Sequence, residues 1–297
     1  MIYRALHSLR VSHYISKKFL SERFIPFRLL YAALRKVSFT VNIRRNKMLL
    51  KIPILKGVGF VNLIPDYERW MSKTLLTLLD DGSWVFIDVG ANTGQSLLRV
   101  LPYYPKIQYF AIEPNPFCTK YLVRLCQLNK FNNVKVFNKA FSDRSGETEL
   151  QLRFDDDILA TTTASFRKFT RYSNKIKVPM IEGDSLLEEE NLKGTKMIIK
   201  IDVEGGESKV INGMIKTIKA YRPIIICEIL PLRSKDPEVE SFRISSAKEI
   251  LLRLKEIGYD AINLHSKKAI QTTEDISTSL KSSNYLFHPS EISPGNF

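Results

Sequence analysis

Apolar and polar residues follow one another along this chain in two rhythms. Trp84-Val-Phe-Ile-Asp-Val, Ile107 to Ile112, Val134 to Phe137, Met197 to Val203 and Pro223 to Ile229 are short, nearly continuous apolar runs, as expected of strands buried on both faces. Between them apolar side chains recur at helical spacing. They predict helices over Gly94 to Leu101, Asn115 to Leu128, Glu207 to Tyr221 and Ser245 to Ile257, the last closed by Gly258. Tyr259 to Leu264 and Tyr285 to His288 read as closing strands. Strands and helices in alternation define an α/β fold, a mainly parallel sheet with helices on both faces.

Two regions break the alternation. Residues 147–180 read as a β-hairpin insertion, because Glu149 to Phe154 alternates with period two and Lys175 to Met180 is β-prone. Ahead of the α/β region, residues 1–38 have amphipathic helical spacing interrupted at Pro26, and Phe39–Ile43, Met48–Ile54 and Gly57–Ile64 read as short strands. A helix over Asp66 to Leu79 follows, with Asp66 suited to its N-cap. The expected division is an N-terminal helical and β extension over 1–65 and a catalytic domain over 66–297.

Composition sharpens this picture. The 297 residues are 44% hydrophobic, which excludes a disordered chain, and carry 45 Lys+Arg against 31 Asp+Glu, a net charge of +14. That charge is not evenly spread. Residues 1–56 hold 13 basic residues and one acid, Glu22, so the remaining body is close to neutral. The basic segment suits an anionic membrane surface, an anionic glycan or nucleic acid, or a helical lid whose cations face water. Three cysteines, Cys118, Cys126 and Cys227, make no disulfide framework. No stretch has the length of a membrane span or the pattern of a signal peptide. The expected location is cytoplasmic, with peripheral membrane contact through residues 1–56.

The most informative segment is Phe86-Ile-Asp-Val-Gly-Ala-Asn-Thr-Gly-Gln, where a buried strand runs into a turn and then a helix. In an open α/β sheet this turn lies at the carboxyl ends of the strands, where ligands bind. The dinucleotide pattern G-x-G-x-x-G is absent, and so is G-x-x-x-x-G-K-[ST]. Asp88, ahead of Gly90, would repel a pyrophosphate but suits a ligand with an amino group and a sulfonium. Glu113 follows Gly90 by 23 residues and ends the second strand, placed to accept hydrogen bonds from both hydroxyls of a ribose. The plain alternative is that Asp88 caps the turn and Glu113 the next helix.

With these residues in view, the sequence resembles the class I S-adenosylmethionine-dependent methyltransferases, and specifically the FkbM family. The resemblance covers about residues 84–230. Besides the two motifs above it rests on Asn138-Lys-Ala-Phe-Ser-Asp, Val178 to Leu186, Lys200-Ile-Asp-Val-Glu-Gly-Gly-Glu, Asn212-Gly-Met and Pro223-Ile-Ile-Ile-Cys-Glu. Where the family usually reads threonine-leucine-aspartate, this chain has Glu182-Gly183-Asp184 and keeps the acid. The resemblance implies a Rossmann-like, seven-stranded sheet and S-adenosylmethionine as cofactor. It assigns Asp88, Gly90, Asn92, Thr93, Gly94, Glu113, Asn115 and Asp143 to the cofactor, Asp143 on the adenine side.

Methyl transfer from a sulfonium is an in-line displacement, so the protein orients the acceptor and removes its proton. Asp202 and Glu204, expected on one strand face by period-two alternation, are the candidates for base and acceptor positioning, with Lys200 as a partner of one of them. Glu207 suits the start of the next helix, and Glu228 is a weaker acceptor-side candidate. No Cys/His cluster has zinc spacing, and no metal site is assigned. The resemblance implies O-methylation of a sugar, glycan or glycolipid hydroxyl. Nucleic acid is the disfavoured partner. The Asn/Asp-Pro-Pro-aromatic motif of amino-methylating enzymes is missing and no cysteine is set for pyrimidine chemistry. A ribose 2′-O-methyltransferase and a non-catalytic membrane or partner adaptor on the same fold are the alternatives.

Overall fold

The computed structural model describes residues 37–65, 68–80, 82–152, 160–163, 174–190 and 192–292. The predicted helix over 1–38 lies outside them up to residue 36, with Ser38 opening a strand, and the N-cap at Asp66 lies outside them too. The chain divides into two compact units, one of residues 1–77, 93–106 and 120–132, the other of 78–92, 107–119 and 133–297.

In the first unit, β1 (Ser38–Arg45) and β2 (Met48–Leu55) form an antiparallel hairpin that buries Ile43, Leu50, Ile52 and Ile54. The strand expected over Gly57–Ile64 is instead a 3₁₀ turn, Phe60–Leu63. Lys56, Gly57 and Gly59 all have positive φ, and left-handed backbone cannot continue a strand. The unit also holds nearly all of α1 (Arg69–Leu78), α2 (Leu97–Val100) and the last ten residues of α3 (Pro116–Asn129). The predicted helix from Gly94 thus shortens to α2, because residues 92–96 form turns.

The second unit is built on one sheet. Its parallel strands are β3 (Trp84–Val89), β4 (Gln108–Ile112), β5 (Val134–Phe137), β9 (Lys196–Ile201) and β10 (Ile224–Glu228). With β11 (Tyr259–Asn263), β12 (Ala269–Ile270) and β13 (Asn284–Pro289) the order is β12-β11-β13-β10-β9-β3-β4-β5, and β13 runs antiparallel to both its neighbours. These are the seven strands implied by the resemblance plus a two-residue edge strand. Both sheet faces are dry: Ile87, Ile199 and Ile225 are fully buried on one, Phe86, Ile198 and Ile226 on the other.

On the first of these faces pack α4 (Gly183–Glu188), α5 (Glu207–Asn212), α6 (Ile215–Tyr221) and α7 (Pro237–Glu256), through Leu186, Val210, Ile218 and Ile250. The single helix predicted over Glu207 to Tyr221 is two helices broken at Gly213. A Cβ at Gly213 would collide with the carbonyl oxygen of Ser142, and the Gly213 carbonyl accepts the Asp184 N–H at 2.8 Å. Helix α7 begins eight residues earlier than its apolar spacing suggests. Asp236 accepts the N–H groups of Glu238 and Val239, and Pro237 opens the helix.

The insertion forms a second sheet, with β7 (Gly146–Leu152) antiparallel to β8 (Asn174–Glu182) as the hairpin reading expects. A third strand, β6 (Ala140–Ser142), joins it parallel to β8. Among the described residues no helix is long and apolar enough to cross a membrane.

Candidate active site

A solvent-open cleft of about 900 Å³ lies at the carboxyl ends of β3, β4 and β9, within the second unit. Gly90, Asn92, Glu113 and Asn115 line one wall, Asp202 and Glu204 lie on a second, and Phe141, Ser142 and Arg144 on a third. The insertion adds Leu150, Thr162, Thr163 and Met180.

Glu113 organises the first wall. Its Oε2 accepts the Asn92 N–H and its Oε1 the Asn115 N–H, each at 2.8 Å, so the carboxylate joins the turn after β3 to the turn after β4. Burial pushes its carboxyl up to about 7, against the opposing pull of those two N–H groups. Each oxygen keeps a lone pair for a further donor.

Gly90 has φ 89°, and a Cβ there would collide with the carbonyl oxygen of Asp202. Its openness therefore serves an approach between two turns of the protein, and Gly90 also lines the cleft. The same crossing is tied by the Asp202 N–H, which donates to the Val89 carbonyl at 3.0 Å.

Asp88 is fully buried and does not line the cleft. It stands opposite Lys200 in the β3–β9 register, and Tyr109 is two residues back on β4, opposite Phe86. Tyr109 donates to Asp88 Oδ2 at 2.6 Å, while the Lys200 ammonium lies 3.8 Å from Oδ1. Desolvation raises the Asp88 carboxyl, and Lys200 and Tyr109 oppose the rise. Lys200, 3% exposed, donates to Asp202 Oδ2 at 3.0 Å. The expected pairing of Lys200 with an acid is thus present, and it joins Asp88 to Asp202 beneath the cleft.

Strand β9 ends at Ile201, so period-two alternation does not reach Glu204. Glu204 stands in a turn at φ 58°, and its carbonyl accepts the Thr161 hydroxyl at 2.8 Å. Asp202 and Glu204 nevertheless face the same cleft. The Glu207 carboxylate holds this turn from behind, accepting the N–H groups of Val203 and Gly205 at 3.2 and 3.1 Å, and burial pushes it up to about 7.

Three further residues given to the cofactor stand elsewhere. Thr93 and Gly94 belong to the first unit: the Thr93 carbonyl accepts the Asn62 side chain at 2.8 Å, and Gly94 sits against Leu122 and Leu125. Asp143 is exposed and accepts the Ser142 hydroxyl at 3.1 Å, while Phe141, Ser142 and Arg144 line the cleft. The sequence reading missed these three by one or two positions, because β6 was not foreseen. It also missed Tyr109, whose relation to Asp88 exists only through strand pairing. Among the described residues no group of three or more His, Cys, Asp or Glu side chains is arranged to hold a metal ion.

Comparison with known proteins places this geometry in context. Residues 88–261, more than half of the chain, match the family model of the methyltransferase FkbM domain. The 2-O-methyltransferase NoeI of Sinorhizobium fredii is 27% identical over 171 residues, covering 53% of this chain and 68% of its own. A solved methyltransferase FkbM from Methylobacillus flagellatus aligns with a TM-score of 0.46 and 16% identity, over 78% of this chain and 51% of that one. The N-terminal domain of human METTL16 aligns with a TM-score of 0.41 and 14% identity, over 81% and 75%.

Proposed function

Because the chain belongs to the methyltransferase FkbM family, we propose that it moves a methyl group from S-adenosylmethionine to a hydroxyl of a sugar or glycan. The observation that carries this reading is the Glu113 carboxylate, held by two backbone N–H groups in the wall of the cleft with one lone pair free on each oxygen. That is the acceptor pattern a ribose diol needs. Phe141 and Ser142 offer an aromatic face and a hydroxyl to the adenine, and the acids at 202 and 204 favour a cationic ligand. S-adenosylmethionine supplies an electrophilic methyl on a sulfonium.

The protein's own part is positioning and proton removal. Asp202, oriented by Lys200, accepts the proton of the acceptor hydroxyl, and Glu204 orients the acceptor. The hydroxyl and apolar side chains of Thr162, Thr163, Leu150 and Met180 suit a sugar, which is polar at its edges and apolar on its C–H face. Similarity to a 2-O-methyltransferase supports oxygen as the atom methylated.

Titration calorimetry tests the cofactor. S-adenosylmethionine and S-adenosylhomocysteine should bind the wild-type protein, and Glu113→Ala should abolish both. Absence of binding to the wild-type protein overturns the reading. Incubation with methyl-labelled cofactor and fractionated cell extract tests the acceptor. Label is expected in the glycan fraction, and label in RNA would replace it with a ribose methyltransferase.

A further inference from the structure

The β1–β2 hairpin carries a surface that methyl transfer leaves unused. Side chains alternate along its strands, so one face buries Ile43, Leu50, Ile52 and Ile54. The other turns Asn42, Arg44, Leu49 and Lys51 to solvent. Arg44 stands directly opposite Leu49, and Lys51 follows Leu49 by two residues on the same face. Opposed and diagonal positions on one face lie about 5–8 Å apart, so Arg44 and Lys51 flank Leu49. The connecting turn adds Lys47, also exposed.

Leu49 is 59% exposed. An exposed leucine alone is ordinary, and its setting is what sets this one apart. Residues 37–65 hold five Lys/Arg and no acid. Arg45 is engaged within the protein, donating to the carbonyls of Asn62 and Ile64. Arg44, Lys47, Lys51 and Lys56 form no ion pair among the described residues. Like charges this close repel one another, so the face favours an anionic partner. The backbone beneath it is fixed. The Lys51 N–H donates to Asn129 Oδ1 at 2.7 Å, and the Lys51 carbonyl accepts Asn129 Nδ2 at 2.8 Å. Binding therefore does not have to order the hairpin first.

The chemistry of the face selects among anionic partners. Single-stranded nucleic acid calls for aromatic side chains on which bases stack. The outward face holds none, and the hairpin's one aromatic residue, Phe39, packs edge-on against Phe60 with ring centroids 6.3 Å apart. An acidic glycan would meet the cations and leave Leu49 in water. A bilayer interface uses both, because its headgroups meet the cations and its acyl boundary takes the leucine. We propose that the outward face of β1–β2 docks on an anionic membrane surface, with Leu49 entering the headgroup–acyl boundary and Arg44, Lys47 and Lys51 on the lipid phosphates. Attachment by one leucine and these cations is peripheral, reversible and sensitive to salt. The inference goes beyond the methyl transfer proposed above and stands without it.

Co-sedimentation of the intact chain with vesicles tests it. Wild-type protein should bind phosphatidylcholine vesicles containing phosphatidylglycerol at least about tenfold more tightly than phosphatidylcholine alone, and added salt should shrink the difference. Arg44→Gln, Lys47→Gln and Lys51→Gln should each weaken binding by about threefold to fivefold. Leu49→Ala removes no charge and should weaken it by about fivefold or more. All four side chains are exposed, so an unchanged urea midpoint shows that a loss of binding is not a loss of fold. No association with vesicles, equal binding to neutral and anionic vesicles, or anionic binding undiminished in the variant carrying all four substitutions overturns the inference. Loss of binding with the cation variants and none with Leu49→Ala, together with tight binding to RNA or heparin, overturns it in favour of a soluble polyanion. None of these results bears on methyl transfer, which the calorimetry above tests separately.

Discussion

Glu113 shows how one side chain can link several parts of a site. Its two oxygens each hold a backbone N–H, and its burial keeps it near neutrality in its titration. A ribose diol donates to the ionised form, so affinity should fall as acid protonates it. For S-adenosylhomocysteine, binding is expected to be flat above about pH 7.5 and to weaken by about tenfold per unit below about pH 6.5. Glu113→Gln turns one acceptor into an NH₂ that faces a backbone N–H. It should weaken binding at pH 8 by about tenfold or more and erase the pH step. Calorimetry from pH 5.5 to 8.5 measures both, and constant wild-type affinity across that range would contradict the assignment. Asp88 gives the opposite lesson. Its position before the glycine turn suggested ligand contact, whereas its neighbours across the sheet make it a buried partner of Tyr109 and Lys200.

Among the elements, the junction between α5 and α6 is the most exacting. The chain turns at Gly213 because β6 passes directly against it, and the start of α6 is capped from another helix. Asp184 accepts the N–H groups of Lys216 at 3.0 Å and Thr217 at 2.7 Å. The acid that the family resemblance singled out at 184 is therefore a helix cap. Asp184→Ala should cost about 1–2 kcal/mol of stability, and Gly213→Ala about 2 kcal/mol or more, since backbone must separate from backbone. Urea denaturation checks both. For Asp184→Ala, cofactor affinity of the folded protein should stay within about twofold of wild type. A large loss of affinity at unchanged stability would instead make Asp184 part of the site.

At the scale of the whole molecule, the buried acids set a pH dependence of stability. Glu113 and Glu207 are raised to about 7, so the native state holds their protons more tightly than the unfolded chain does. Their contribution is full below about pH 4.5 and is lost as pH rises through about 7. Glu291, lowered to about 2 by Arg222, acts in the opposite sense but only in stronger acid. Ligand-free protein should therefore lose stability from pH 5 to pH 8, on the order of 1–3 kcal/mol for each raised carboxyl. Glu207→Gln should flatten that slope. Denaturation midpoints that rise over this interval would show these carboxyls to be solvated.

Much of this protein is legible without coordinates, for a definite reason. Strands buried on both faces must be apolar throughout, so β3, β4, β5, β9 and β10 stand out, and the turns after β3, β4 and β9 carry the residues that mark the family. What the sequence could not decide is which residues meet across strands and turns. Hydrophobic period describes one element at a time. It cannot show that Lys200 lies between Asp88 and Asp202, or that Gly90 makes room for the Asp202 carbonyl. Those relations depend on sheet order and register. Tertiary structure therefore tied Asp88 and Asp202, distant in the chain and in no local pattern, to one buried ammonium beneath the cleft.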